Sequence, residues 1–330
     1  FITKRTAVAP ANGKPERWLK FLSEVTNENQ DIIDYLQRFS GYCLTGETSE
    51  HALAFLYGTG ANGKTTFVQT LLGILGEYAI TAPIETFAET RTERHSTELA
   101  RLRGARLVAT EETGVGSRWN ESRIKTLTGG NRISAHFMRQ DDFEFQPEFK
   151  LLIAGNHKPQ MRSVDEAMKR RMHIVPFTVT IPEHERDVHL QDALRKEWPQ
   201  ILNWMIQGCA AWRDYRLAPP EIVRNATELY LQSNDILEAW LEECCEREGE
   251  SDGKTLYNSF AEWCQQQGET LWARRGWSDA MADKGFASYR KKVSGSVIRG
   301  FRGVKPRLQM RNDVNNEKPA SPPYYSKFND

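Results

Sequence analysis

Leu53-Ala-Phe-Leu-Tyr57, then Gly58-Thr59-Gly60-Ala61-Asn62-Gly63-Lys64-Thr65, then Thr66-Phe-Val-Gln-Thr-Leu-Leu-Gly-Ile-Leu75 is the stretch on which the chain turns. A short apolar run, a glycine-rich turn and a helical pattern with an apolar face follow without a break. The turn fits G-x-x-x-x-G-K-[ST], where backbone N–H groups and the dipole of the next helix converge on a β-phosphate. Lys64 adds a positive charge for the β- and γ-phosphates, and the Thr65 hydroxyl a ligand for Mg²⁺. Residues Gly58 to Thr66 are therefore expected to cradle ATP. A glycine-rich turn that binds nothing is the alternative, and the strand and helix on either side speak against it.

Composition sets the frame. The chain has 330 residues, long enough for about two to three domains. It carries 44 Lys/Arg against 44 Asp/Glu, which excludes an overall electropositive particle but not local basic patches. No apolar run reaches the roughly 18 residues that span a bilayer, and no signal-peptide pattern opens the chain, so a cytoplasmic protein is expected, in the host cytoplasm if viral. Cys43, Cys209, Cys244, Cys245 and Cys264 lack C-x-x-C spacing and read as buried, reduced thiols. The chain begins with Phe1, as a fragment of a longer polypeptide would.

Helical spacing runs from 14 to 42, through Trp18, Phe21, Leu22 and Val25, then Ile32, Leu36 and Phe39. Beyond Gly46, apolar runs at 53–57, 107–109, 151–154 and 173–177 alternate with helical stretches, which predicts a parallel sheet covered on both faces. Four segments follow: a helical lead-in at 1–46, an α/β core at 47–218, a helical and winged-helix-like region at 219–312 that begins at Pro219-Pro220, and a disordered tail at 313–330.

ATP hydrolysis needs a carboxylate for the metal, a group to polarise water, a polar sensor and usually an arginine. The chain offers them in order. Arg106-Leu-Val-Ala-Thr-Glu111-Glu112 is an apolar run ending in two carboxylates, Glu111 for Mg²⁺ and Glu112 for the attacking water. Leu151-Leu-Ile-Ala-Gly-Asn156 ends in a polar amide suited to the γ-phosphate. Arg170-Arg171 precede the last apolar run, and one of them could reach a neighbouring subunit's ATP. Each feature taken singly also fits a solvated strand end or a plain ion pair; the signal lies in their order.

These segments, with "IKTLTGGNRISAHF" and "DEAMKRRMHIVPF", resemble a superfamily 3 helicase, in the branch of phage and plasmid primase–helicases related to the poxvirus primase–helicase. The similarity runs from about residue 14 to about 310. The resemblance implies an AAA+-type core, a homo-oligomeric ring of about six subunits with ATP between them, movement 3′→5′ on single-stranded DNA, and a primase domain upstream. Lys64 and Thr65 match Walker A, Glu111 and Glu112 Walker B, Asn156 the sensor, and Arg170 and Arg171 the arginine-finger pair. The chain departs from the pattern at Asn131, where Asp is usual, and at His136, where Arg is usual.

Two surfaces are expected to meet DNA. Residues 132–147 read as a β-hairpin with its tip near Met138–Asp141, where Arg139 would grip phosphates and His136 or Phe137 would lie near bases. Lys125 joins them, while Phe143 and Phe145 read as core. From 285 to 312 there are eight Lys/Arg, among them Arg290, Lys291, Lys292, Arg299 and Arg302, and no acidic residue. A replicative helicase acting on single-stranded and forked DNA accounts for the whole set. An ATP-switched origin-binding or loader protein without processive unwinding would carry the same loop, and a small-molecule kinase fits the motif order least.

Overall fold

The computed structural model describes residues 4–89, 97–111, 118–161, 165–233, 235–269, 271–293 and 296–307. The chain divides into two compact units, 1–236 and 237–330. In the first, α1 (Glu16–Val25) and α2 (Gln30–Tyr42) are separated by Asn27 and Glu28, both at positive φ, and Asn29 caps α2 through its side chain. Then come β1 (Leu53–Tyr57), α3 (Lys64–Leu75), β2 (Ala79–Thr81), α4 (Thr97–Ala100), β3 (Leu107–Glu111), α5 (Glu121–Thr128), β4 (Ile133–Ala135), β5 (Phe143–Phe145), β6 (Lys150–Gly155), α6 (Glu166–Lys169), β7 (Met172–Pro176), α7 (Leu190–Lys196), α8 (Trp198–Tyr215) and α9 (Glu221–Ser233).

Five strands form one parallel sheet in the order β2-β3-β6-β1-β7. The expected continuous runs are its four long strands. The three-residue edge strand β2 is an addition. Strand alternation sends Ala54, Leu56, Leu107, Ala109 and Leu152 into one core, with α1, α2, α3 and α8. Leu53, Phe55, Val108, Leu151 and Ile153 enter a second core on the opposite face, with α5 and the β4–β5 hairpin. Both faces are therefore buried, as such runs require.

The lead-in helices belong to this unit. Trp18, Phe21, Leu22 and Val25 are fully buried, each worth about 1.5–3 kcal/mol. Where α2 crosses α8 the backbones nearly touch: a Cβ on Gly41 would lie 2.0 Å from the Cys209 nitrogen, and one on Gly208 would lie 2.1 Å from the Gln37 carbonyl oxygen. Lys150 crosses toward the same region. It is 2 % exposed and donates to the carbonyls of Thr45, Glu47 and Glu148, which ties the α2–β1 link to the sheet.

The unit boundary falls at 236 rather than at Pro219-Pro220. The reason is α9, which covers edge strand β7. The Ile174 N–H, turned outward from the sheet, donates to Thr227 Oγ1 at 2.9 Å. Tyr230 is buried beside Trp119, accepts from its Nε1 at 2.8 Å and donates to the Pro159 carbonyl.

The second unit contains α10 (Ile236–Cys244), β8 (Cys245–Glu246), β9 (Glu250–Asp252), α11 (Gly253–Gln267), α12 (Arg274–Asp283), β10 (Ser288–Val293), β11 (Ser296–Arg302) and β12 (Lys305–Pro306). Helices followed by an antiparallel β9-β11-β10 sheet make it winged-helix-like. Trp240, Phe260, Trp277 and Phe301 form its centre. All five cysteines are free. Cys43, Cys245 and Cys264 are buried as expected, but Cys209 and Cys244 are only half-buried.

Candidate nucleotide site and nucleic-acid surfaces

The glycine-rich loop leaves β1, the strand set between β6 and β7, and closes at the N-terminus of α3. That is the carboxyl edge of an open parallel sheet, where such folds bind ligands. Two glycines are needed there. A Cβ on Gly58 would sit 1.9 Å from the Phe177 carbonyl oxygen, and Gly63 has φ +81° with Val25 and Phe21 packed against it. The second contact couples the loop to α1. Ala61 also holds a positive φ of 56°, and its carbonyl accepts from Ile181 N at 2.8 Å.

Lys64 is buried, at 6 % exposure, and all three of its protons have acceptors. It donates to the Gly58 carbonyl at 2.6 Å, to Asn62 Oδ1 at 2.8 Å and to Asn156 Oδ1 at 3.0 Å. Burial holds its ammonium below the ordinary lysine range. Asn62 in turn donates to the Phe177 carbonyl at 3.0 Å, fixing its amide. The loop thus meets the end of β6 through one charged hydrogen bond.

Two cavities flank the loop. One, of about 300 Å³, lies between residues Gly60–Thr66 and Ala154–Asn156, with Thr65 exposed to solvent. The other, of about 500 Å³, lies between α1 and the segment 179–190. Phe21, Ile181 and Leu190 give it an apolar side, and Thr66 and Thr180 polar groups. At its rim Arg17 pairs with Glu24 at 3.3 Å and Asp187 at 3.5 Å. No sequence motif marks this second cavity, because its walls come from helix α1 and a loop far apart in the chain.

Backbone register sets Glu111 beside Ala154, which is itself beside Leu56, so β3, β6 and β1 end at one level. The Glu111 side chain and the whole of Glu112 lie outside the described residues. The two arginines separate. Arg171 is buried and engaged within its own unit, donating to Thr128 Oγ1 at 3.1 Å and to the Ala167 carbonyl at 2.7 Å. Arg170 is exposed, beside a cavity of about 470 Å³ between β7 and α9. Among the described residues no cluster of three or more His, Cys, Asp or Glu is placed to hold a metal, so Mg²⁺ would rely on Thr65 and a carboxylate at the end of β3.

The expected hairpin is β4–β5, with Ile133 opposite Phe145 and Ala135 opposite Phe143. At its tip Gln140 N donates to the Phe137 carbonyl at 3.0 Å, and Arg139 is exposed with φ 63°. Phe145 is buried as expected. Phe143 is half-buried, 5.6 Å from the Phe137 ring with Arg103 over its other side. His136 Nδ1 contacts Asp142 at 3.0 Å. Lys125 lies in the last turn of α5, the helix before the hairpin, and forms an ion pair with Asp165, the residue that caps α6. In the second unit Arg290, Lys291, Lys292, Arg299 and Arg302 are exposed on β10 and β11, where the wing is expected.

Fold and site together describe an α/β unit with a glycine-rich loop at the carboxyl edge of a five-stranded parallel sheet, linked to a winged-helix-like unit. Known proteins agree with that class. A family of unknown function (DUF5906) matches residues 56–171, from the end of β1 to Arg171. The chain is similar to "Putative helicase L207/L206" of Acanthamoeba polyphaga mimivirus, 25 % identical over 267 residues that cover 74 % of this chain and 28 % of that protein. It is likewise 25 % identical to "Putative helicase 022R" of Frog virus 3 (isolate Goorha), covering 69 % of this chain and 26 % of the relative. "Putative helicase 184R" of Invertebrate iridescent virus 6 is 24 % identical, covering 77 % of this chain and 30 % of that one. The chain thus spans under a third of the length of these relatives. Among solved structures, two apo forms of the NrS-1 C-terminal region share the fold at TM-scores of 0.58 and 0.59, with 12 % identity. They match over 92 % of this chain and 79 % of theirs. Among the described residues no helix is long and apolar enough to cross a membrane.

Proposed function

We propose that this chain is the motor portion of a replicative DNA helicase of a phage, prophage, plasmid or virus, driven by ATP and acting on single-stranded and forked DNA. The observation that carries the proposal is the meeting of Lys64 with Asn156 at the mouth of the loop cavity. This contact supports the reading because it sets a polar residue from the end of β6 against the ammonium that would bind the β- and γ-phosphates, as an ATP-hydrolysing motor requires and a plain glycine turn does not. Similarity to three helicase-named viral proteins supports the same reading.

When bound, Mg²⁺-ATP supplies the phosphoryl group and the metal that neutralises its charge. The remaining roles belong to the chain. The N–H groups of 60–66 and the Lys64 ammonium bind the phosphates, and the ammonium exchanges neutral oxygens for charged ones. The Thr65 hydroxyl, with Glu111, would hold the metal, and Glu112 would polarise the attacking water. Asn156 senses the terminal phosphate. Arg170, exposed and free of the contacts that bury Arg171, reaches the site of an adjoining subunit in a ring of about six. The 500 Å³ cavity takes the nucleoside, its apolar side against the base. Hydrolysis at the seam between subunits changes their angle, and the β4–β5 hairpin carries Arg139 with it along the strand. The contact between the deoxyribose-phosphate backbone and Arg139 is electrostatic, so it is independent of sequence.

Strand displacement on 3′- and 5′-tailed duplexes, beside Lys64→Ala and Glu112→Gln, tests the proposal. ATP-dependent unwinding from the 3′ tail, lost in both variants, supports it. Slow ATP turnover with stable origin binding and no strand separation would identify a loader instead.

A further inference from the structure

The cations of the second unit are sorted by the two-residue period of its strands. On β10 and β11, Arg290 and Arg299 face each other in register, on the strand face that also carries Ser288 and Phe301. Lys291 and Arg302 lie on the opposite face, and both pair with the one carboxylate of Glu250 on β9, at 3.4 Å and 3.9 Å. Lys305 is likewise held by Glu246 and Glu248, each at 2.9 Å. A sequence count of eight cations therefore hides a division: one face has a carboxylate partner for its cations and the other, among the described residues, has none.

The face without a carboxylate partner borders a cavity of about 650 Å³ against α12. Arg274 and Arg275, at the start of α12, complete its lining with Arg290 and Arg299. All four guanidinium groups are exposed, none forms an ion pair, and no acidic side chain lines the groove among the described residues. Like charges set directly opposite on neighbouring strands, about 5 Å apart at Cβ, destabilise a sheet, so the Arg290–Arg299 pair works against folding unless an anion lies between them. The floor is apolar: Trp277 and Phe301 are buried, with rings 5.7 Å apart.

We infer that this groove binds the phosphate backbone of a nucleic-acid duplex through Arg274, Arg275, Arg290 and Arg299. Four guanidinium groups match phosphate oxygens in charge and in their fork of donors. Single strands are bound largely by stacking bases on exposed aromatic side chains. Here the aromatic floor is buried, and Tyr289, the remaining aromatic of the lining, belongs to the face paired with Glu250, under Arg302. The groove is thus built to track a backbone rather than to stack bases, and its role differs from that of the hairpin in the first unit. It extends the helicase reading, yet binding is measured without nucleotide, so its failure would leave the motor untouched.

The test is fluorescence anisotropy of the full chain with a blunt DNA duplex, a matching RNA duplex and a single strand of equal length, across a salt series. Arg290→Ala/Arg299→Ala is expected to weaken duplex binding by at least about tenfold and to lower the salt slope by about 2, one unit per lost phosphate contact. Lys291→Ala/Arg302→Ala, on the face paired with Glu250, is expected to change the slope little. The tighter of the two duplexes identifies the natural backbone. Removing two opposed arginines should leave thermal stability equal or higher, which separates lost binding from lost folding. An unchanged slope in Arg290→Ala/Arg299→Ala, an equal fall in Lys291→Ala/Arg302→Ala, or single-strand binding as tight and as dependent on the four arginines would each overturn the inference.

Discussion

Lys64 Nζ donates to Asn156 Oδ1 at 3.0 Å, and this contact joins the phosphate loop after β1 to the end of β6. The same ammonium is held by two neutral oxygens of the loop, Gly58 O and Asn62 Oδ1. This ammonium is drawn away from water by burial, which is why its pKa lies low, and among the described residues it has no counter-charge. A triphosphate would supply that charge. Lys64→Ala is therefore expected to abolish ATP turnover, at least about 100-fold. Asn156→Ala should retain nucleotide binding and lose turnover by a similar order. Equilibrium binding of a fluorescent ATP analogue beside a phosphate-release assay separates the two. Turnover intact in Asn156→Ala would remove the sensor role.

Arg170 and Arg171 are adjacent but do different work. Arg171 spends its guanidinium on Thr128 and Ala167, so Arg171→Ala removes two hydrogen bonds from a buried site, although the Thr128 hydroxyl still donates to the Ile124 carbonyl, and should cost roughly 1–3 kcal/mol by chemical denaturation. Arg170→Ala should leave stability within about 0.5 kcal/mol, as an exposed change does, and lower ATP turnover of the assembled protein by about 10³-fold. Mixing Arg170→Ala with Lys64→Ala protein should restore part of the turnover, because each supplies the half of a shared site that the other lacks. No recovery in the mixture would place Arg170 outside any shared site.

Much of this arrangement was legible in the sequence, for a physical reason. Four strands buried on both faces must be written as unbroken apolar runs, and the runs at 53–57, 107–109, 151–154 and 173–177 each became one. The edge strand β2 was not legible, because three residues give no period. The end of the first unit was misplaced because Pro219-Pro220 breaks a helix but does not end the packing: Thr227 and Tyr230 still bind the sheet and Trp119. The difference between Arg170 and Arg171 was not legible because it comes from Thr128, a partner of Arg171 far away in the chain. Arg274 and Arg275 were not legible as part of this surface because they lie outside the basic stretch 285–312 and are brought to it by the packing of α12, through Trp277, on Phe301.

Arg139 holds φ 63° at the exposed hairpin tip, a conformation that costs a non-glycine residue about 1 kcal/mol. Arg139→Gly is expected to keep or slightly raise stability by removing that cost. Its basal ATP turnover should match the wild type, while stimulation by single-stranded DNA falls about tenfold with the loss of a phosphate contact. Arg139→Lys should keep much of the stimulation, since the charge remains. ATP turnover with and without oligonucleotide, together with thermal melting, reads out both effects. Full stimulation in Arg139→Gly would separate the hairpin from DNA.

His173 Nδ1, on β7, and the Tyr35 hydroxyl, on α2, share a hydrogen bond of 2.8 Å, and burial pushes the His173 pKa down to about 4 from 6.5. Protonation would charge a buried ring and make both of its nitrogens donors. Between pH 6.5 and 4 the unfolded chain carries this proton and the folded one does not. The unfolded state binds more protons there, so stability falls as the pH is lowered through that window. The contribution is at most about 3 kcal/mol by the width of the shift. His173→Gln keeps a hydrogen-bonding partner for Tyr35 but cannot titrate. Urea unfolding measured from pH 7.5 to 4.5 should therefore show a shallower loss in the variant, by about 2 kcal/mol at the acid end. Parallel curves for the two proteins would mean that His173 takes up its proton in the folded state as readily as in the unfolded one, and that the Tyr35 contact does not keep it neutral.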